Sequence, residues 1–144
     1  MALYHWKLEK LTELESLDLE VKCASVCSPI HSFFNVSSNW IPPFLLQELR
    51  IRSCSVGSEF PTWLQTQHKL NVLDISTYRN LKHCPQTGFW NLVSVNLAEM
   101  YMSENQIEGM LPKFSTSMQL NTIDLSSNRF YGPLPGFWVH PSPT

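Results

Sequence analysis

Short apolar-x-apolar pairs recur along the chain, each three residues after a leucine. The most regular instance is Leu120-x-x-Ile123-x-Leu125-x-x-Asn128-x-Phe130-x-Gly132-x-Leu134-Pro135. Alternation over Ile123 and Leu125 predicts a short strand with its apolar face inward. Asn128 then turns the chain, because its amide offers two donors and an acceptor to the unpaired backbone groups of a bend. Gly132 permits backbone angles closed to other residues, and Pro135 stops a helix from starting. The same register appears at Leu14-x-x-Leu17-x-Leu19, with Lys22 at the turn position. It appears again at Leu46-x-x-Leu49-x-Ile51-x-x-Cys54, closing at Phe60-Pro61. It follows at Leu70-x-x-Leu73-x-Ile75, where Tyr78, Asn80 and Lys82 replace the preferred residues and Cys84-Pro85 restores the ending. Leu97-x-x-Met100-x-Met102-x-x-Asn105-x-Ile107-x-Gly109-x-Leu111-Pro112 completes the set.

The starts at Leu14, Leu46, Leu70, Leu97 and Leu120 lie 32, 24, 27 and 23 residues apart. The last three intervals sit in or near the leucine-rich repeat period, and Cys is an accepted substitute for the turn Asn. The expected fold is a leucine-rich repeat solenoid of the α/β repeat type with about four to five coils. Short parallel strands line its concave face and irregular or 3₁₀ segments its convex face. No coil covers its own apolar edge, so neighbours stack and bury a continuous core. Leu49, Ile51, Leu73, Ile75, Met100, Met102, Ile123 and Leu125 are expected to lie buried in one ladder. The residues between the strand apolars then form an outward column of Asp18, Arg50, Asp74, Tyr101 and Asp124. A second column holds Glu20, Arg52, Ser76, Ser103 and Ser126. From these we take Arg50, Arg52, Asp74, Ser76, Tyr101, Ser103, Asp124 and Ser126 as the candidate binding residues of the concave face. A merely solvated face is an equally good reading of the same columns.

Composition narrows the function classes. The chain has 144 residues, 43% apolar, enough for a core. Charged residues make up 15% and the formal net charge is −2, so nothing indicates nucleic acid or an anionic membrane. Ten prolines against five glycines fit many short elements separated by turns. The opening MALYHWKLEK has no continuous apolar run and does not read as a signal peptide. No segment reaches the roughly 18 apolar residues that span a bilayer. Cys23, Cys27 and His31, with His83 and Cys84, could be drawn as a zinc site or a redox module. Closed tetrahedral zinc sites pair two short-spaced ligand sets, and adjacent His83 and Cys84 could hardly both reach one ion. No nucleophile elbow, phosphate loop or catalytic carboxylate pair is present, so we expect no enzyme, cofactor or metal. Asn35-Val36-Ser37 is the one N-x-S/T sequon, making Asn35 a glycosylation candidate in the secretory pathway.

A family resemblance rests on Asn39-Trp40-Ile41-Pro42-Pro43-Phe44, Ser53-Cys54, Phe60-Pro61-Thr62-Trp63-Leu64-Gln65-Thr66-Gln67, Leu73-Asp74-Ile75-Ser76 and Leu125-Ser126-Ser127-Asn128. Over about residues 33 to 138 the chain resembles the plant leucine-rich repeat receptor-like proteins, in particular the subgroup of the ethylene-inducing xylanase receptor. The resemblance implies a right-handed solenoid on the extracellular side of the plasma membrane. It implies recognition of a protein, peptide or glycan ligand, in defence or developmental signalling, together with a receptor-kinase co-receptor. The family's Cys-bearing N-terminal cap, further repeats, acidic stretch and membrane span are not matched. The expected organisation is therefore an uncapped internal fragment, with an inactive truncated gene product as the alternative. Residues 1–32 form a degenerate first repeat and a divergent joint, 33–138 the repeats, and 139–144 a disordered tail. Apolar residues at both ends lead us to expect a marginally stable chain that self-associates.

Overall fold

A computed structural model describes residues 11–20, 40–53, 60–77, 81–83, 90, 96–112 and 119–133, apart from the side chains of 19 and 20. The apolar-x-apolar pairs become strands β1 (Ser16–Glu20), β2 (Glu48–Arg52), β3 (Val72–Asp74), β4 (Glu99–Tyr101) and β6 (Thr122–Asp124). They form one parallel sheet in the order β1-β2-β3-β4-β6. Leu17, Leu49, Leu73, Met100 and Ile123 are register partners in succession, with no slip anywhere. Although 32 residues separate the first two starts, β1 pairs directly with β2, so the joint inserts no strand between them. Backbone bonds at one repeat position carry the same order. The N–H of Gln47 donates to Glu15 O, Asn71 to Gln47, Ala98 to Asn71 and Asn121 to Ala98, at 2.7–2.9 Å.

Inward side chains fill a core that includes Leu46, Leu49, Ile51, Leu70, Leu73, Ile75, Leu97, Met100, Met102 and Ile107. Six of the eight ladder residues expected to be buried are so. Ile123 and Leu125 are only half-buried, although they pack against the core. The correction has a simple cause. Among the described residues β6 is the last strand of its sheet and has one neighbour, β4, so no described coil lies against its other flank.

The convex side carries a 3₁₀ turn, Thr62–Thr66, which opens after Pro61 and buries Trp63 and Leu64. Trp40, Phe44 and Trp63 meet edge to face there, with centroids 5.9–6.5 Å apart. A second parallel sheet was not anticipated. It pairs β5 (Glu108–Met110) with β7 (Arg129–Tyr131), and His83 bridges to Glu108 beside it. Gly132, at φ +89°, follows β7, and a Cβ there would come within 3.2 Å of Met110 Cγ. The backbone angle favours glycine, and an added Cβ would also push the exposed Met110 side chain aside by a few tenths of an ångström.

The turn asparagines act as expected and also reach across coils. Asn128 Nδ2 donates to Leu125 O and Ser126 O in its own coil at 3.1 Å, and to Met102 O in the preceding coil at 2.8 Å. Its Oδ1 accepts from Ile107 N–H at 3.1 Å. Asn105 repeats the pattern on Met102 O, Ser103 O and, one coil back, Ile75 O. In each described turn the residue before the Asn position has a left-handed backbone, with φ between 54° and 59° at Ser53, Thr77, Glu104 and Ser127. None is glycine, so each costs on the order of 1–2 kcal/mol. Bonds between coils hold these residues in place, such as Thr77 N–H to Ser103 O and Glu104 N–H to Ser126 O.

Leu49→Ala should lower stability by about 2–5 kcal/mol because its site is completely enclosed. Half-buried Leu125→Ala should cost only about 1 kcal/mol, near the centre for point substitutions. Urea midpoints at unchanged slope measure both, and equal losses would contradict the burial gradient. Asn105→Ala removes bonds to three carbonyls of two coils and leaves that of Ile75 without its described donor, since Met102 O keeps Asn128 and Ser103 O keeps the Thr77 N–H, so it should cost about 1–3 kcal/mol. The same melts test it, and a loss under about 0.5 kcal/mol would show that carbonyl to be solvated.

Candidate recognition face

Because strand side chains alternate, every second residue of the five-stranded sheet faces outward. Register partners Asp18, Arg50, Asp74, Tyr101 and Asp124 form one row, as the sequence columns expected. Arg52 pairs with Glu20 in the next row. Ser76, Ser103 and Ser126 continue that row beyond the strands, each two residues after the first row's Asp74, Tyr101 and Asp124. A third outward row, Ser16, Glu48, Val72, Glu99 and Thr122, was missed by sequence reasoning. The two-residue strand period alone would have found it.

Electrostatics divides this face. Arg50 is hydrogen-bonded through Nη1 to Glu48 Oε2 on its own strand, and that bond holds its guanidinium protonated above its ordinary range. Arg52 reaches both flanking strands, with Nη2 3.5 Å from Asp18 Oδ1 and Nε 3.7 Å from Asp74 Oδ2. Exposed pairs of this kind add at most about 1 kcal/mol of stability. Their larger effect is to engage both arginines with carboxylates of the same sheet.

Toward β4 and β6 the polar groups bond one another, although Asp74 also faces Arg52. Asp74 Oδ1 accepts the Ser76 N–H at 3.0 Å, and Ser103 Oγ donates to Ser76 Oγ at 3.3 Å. Tyr101 Oη donates to Glu99 Oε2 at 3.1 Å, and the carboxylate raises the phenol above its usual range. Asp124 Oδ1 accepts the Ser126 hydroxyl at 2.7 Å and the Ser126 N–H at 3.0 Å. Those two donors, the hydroxyl first, hold the Asp124 carboxyl below its ordinary value.

A functional residue of a different kind also escaped the sequence. Gln67 is completely buried, its Oε1 taking Leu46 N–H at 2.9 Å and its Nε2 donating to Thr66 Oγ1 at 3.1 Å. It joins the entries of β2 and β3, as the asparagines join the exits. No His, Cys, Asp and Glu grouping among the described residues could hold a metal ion. Cys23, Cys27, His31, Cys84 and Asn35 lie outside them. No helix among the described residues is long and apolar enough to cross a membrane.

In-register parallel strands, a turn Asn stitched to the preceding coil and a 3₁₀ convex turn define a leucine-rich repeat solenoid. Residues 3–102 match the family model of R13L1/DRL21 leucine-rich repeats, and residues 119–140 match the general Leucine Rich Repeat model. The chain is 40% identical over 126 residues to the receptor-like protein EIX2 of Solanum lycopersicum, covering 87% of this chain and 11% of that protein. It is 34% identical over 129 residues to receptor-like protein EIX1 of the same plant, covering 89% and 12%. Receptor-like protein 7 of Arabidopsis thaliana is 32% identical over 102 residues, covering 69% and 10%. The chain belongs to the leucine-rich repeat receptor-like proteins of plants. It spans about a tenth of the length of these relatives.

Asp124 offers a direct test of the face's geometry. Its depressed pKa means that its stabilising contribution is present above the unfolded carboxylate value, about 3.9, and is lost as pH falls through the folded one. In an NMR titration Asp124 should have its midpoint below that value, and Ser126→Ala should move it upward. An unchanged midpoint would mean that the hydroxyl does not hold the carboxylate.

Proposed function

We propose that this segment is a non-enzymatic recognition surface, whose concave face contacts the ligand of a cell-surface receptor. The observation that carries the reading is the outward polar array of the five-stranded sheet, held in one register across every strand. Backbone groups there are consumed by the ladder and the core side chains point inward, so most of the outward side chains can vary at small cost to the fold. That division suits recognition, and membership of a receptor-like family supports it. On this reading the whole protein sits on the extracellular side of the plasma membrane, signals in plant defence or development, and works with a receptor-kinase partner. Asn35 carries a glycan when the chain enters the secretory pathway.

Site-specific photocross-linking tests the reading. A photoreactive residue at Ser103, on the concave face, should form a discrete adduct when the chain is displayed at the plant cell surface. The same residue at Glu108, on β5 of the second sheet, should not. Adducts of equal yield from both positions, or from Glu108 alone, would overturn the concave-face assignment.

A further inference from the structure

The outward face differs in kind on its two sides. Both of its basic residues sit on β2, and both are engaged, Arg50 by Glu48 and Arg52 by Asp18 and Asp74. Strands β3, β4 and β6 carry no lysine or arginine at any outward position. At the centre stands Tyr101, with Asp74 and Asp124 as its register partners on the two flanking strands. Parallel neighbours lie about 4.8 Å apart, so the ring is bordered by a carboxylate on each side within one side-chain length. Glu99 caps its hydroxyl, and Val72, nearly enclosed, provides an apolar spot beside Glu99 in the third row. Glu99 and Asp124 have hydroxyl and amide partners but no cation among the described residues.

An aromatic ring beside two carboxylates that have no cation partner among the described residues, Glu99 and Asp124, is the complement of an ammonium or guanidinium group, which gains from the ring face and from the anions together. The serine row Ser76, Ser103 and Ser126 runs beside it across three coils and offers hydroxyls to a peptide backbone lying across the strands. A free cation would use one step of this row, whereas an extended chain uses several. Resting on the concave-face reading above, we propose that the Tyr101 strip docks an extended peptide bearing lysine or arginine. The charge complementarity argues against an acidic peptide, and a neutral glycan has no use for it.

The test uses the full chain and three probes: a labelled Ala-Lys-Ala-Lys-Ala peptide, its glutamate counterpart, and cellohexaose. The lysine peptide should bind, more weakly as salt is raised. Glu99→Gln with Asp124→Asn, and separately Tyr101→Ala, should each weaken it by about tenfold or more. Glu13→Gln with Glu108→Gln, an equal charge change away from the strip, should leave affinity within about twofold. Tyr101→Phe, which keeps the ring, should preserve most binding, and unchanged circular dichroism confirms each variant's fold. Equal weakening by the two charge-matched pairs, or no preference for lysine over glutamate, would overturn the proposal. Hydrogen exchange separates it from the broader reading. Protection of β3, β4 and β6 by cellohexaose or the acidic peptide alone would sink the cationic ligand while leaving the concave face as the recognition surface.

Discussion

Each coil of this chain completes its backbone bonding on its neighbour. The strand ladder accounts for part of this, and the turn asparagines extend it past the strand ends. Asn128 holds carbonyls of its own turn and of Met102 while receiving the N–H of Ile107. Asn105 likewise donates to carbonyls of its own turn and, one coil back, to Ile75 O. An amide that bonds two coils at once locks their relative register, since a slip of one residue would strand several polar groups away from water. The left-handed residue occurs before Asn105 and Asn128 and equally before Cys54 and Tyr78, so it belongs to the bend of the repeat and not to the amide. It does without glycine where neighbouring coils hold it, as at Thr77 and Glu104.

Register was legible in the sequence because strand period and repeat period reinforce each other. Leu49 and Leu73 could be aligned by counting, and they are partners. Even the third coil, whose Tyr78, Asn80 and Lys82 depart from the pattern, places Leu73 and Ile75 in line, because inward apolar residues outweigh turn chemistry. The second sheet was not legible. Glu108-Gly109-Met110 has none of the alternation or β-branched content that marks a strand. It pairs with Arg129–Tyr131 because the first sheet has already brought the two segments side by side. Burial of Ile123 and Leu125 was overestimated for a related reason. Pattern gives the direction of a side chain, but the coil on its far side decides how much water it loses.

The charge arrangement shows the same limit more sharply. The columns placed Arg50 and Arg52 as a basic step in a mixed surface, and their positions are right. What a column cannot show is that Glu48 bonds Arg50, or that Arg52 spans to Asp18 and Asp74 on both flanking strands. Once those contacts are drawn, the apparent basic step becomes an internally neutralised band. The unbalanced charge then lies with the acids beside Tyr101, of which counting had placed Asp124 and missed Glu99.

Rigidity and specificity here come from different atoms. The ladder, the asparagine amides and buried Gln67 fix where every outward Cβ stands, and none of them belongs to the outward rows of the sheet. Outward residues add little stability of their own, since solvent-exposed ion pairs and hydroxyl contacts are individually weak. A substitution such as Glu99→Gln can therefore alter the surface potential with small cost to the fold, whereas one at Asn105 disturbs two coils. The frame and the outward surface can thus be altered separately. Beside Tyr101, Glu99 and Asp124 carry charge that no arginine among the described residues engages, whereas Asp74 is already shared with Arg52, so it is at the first two that a substitution changes the surface potential most.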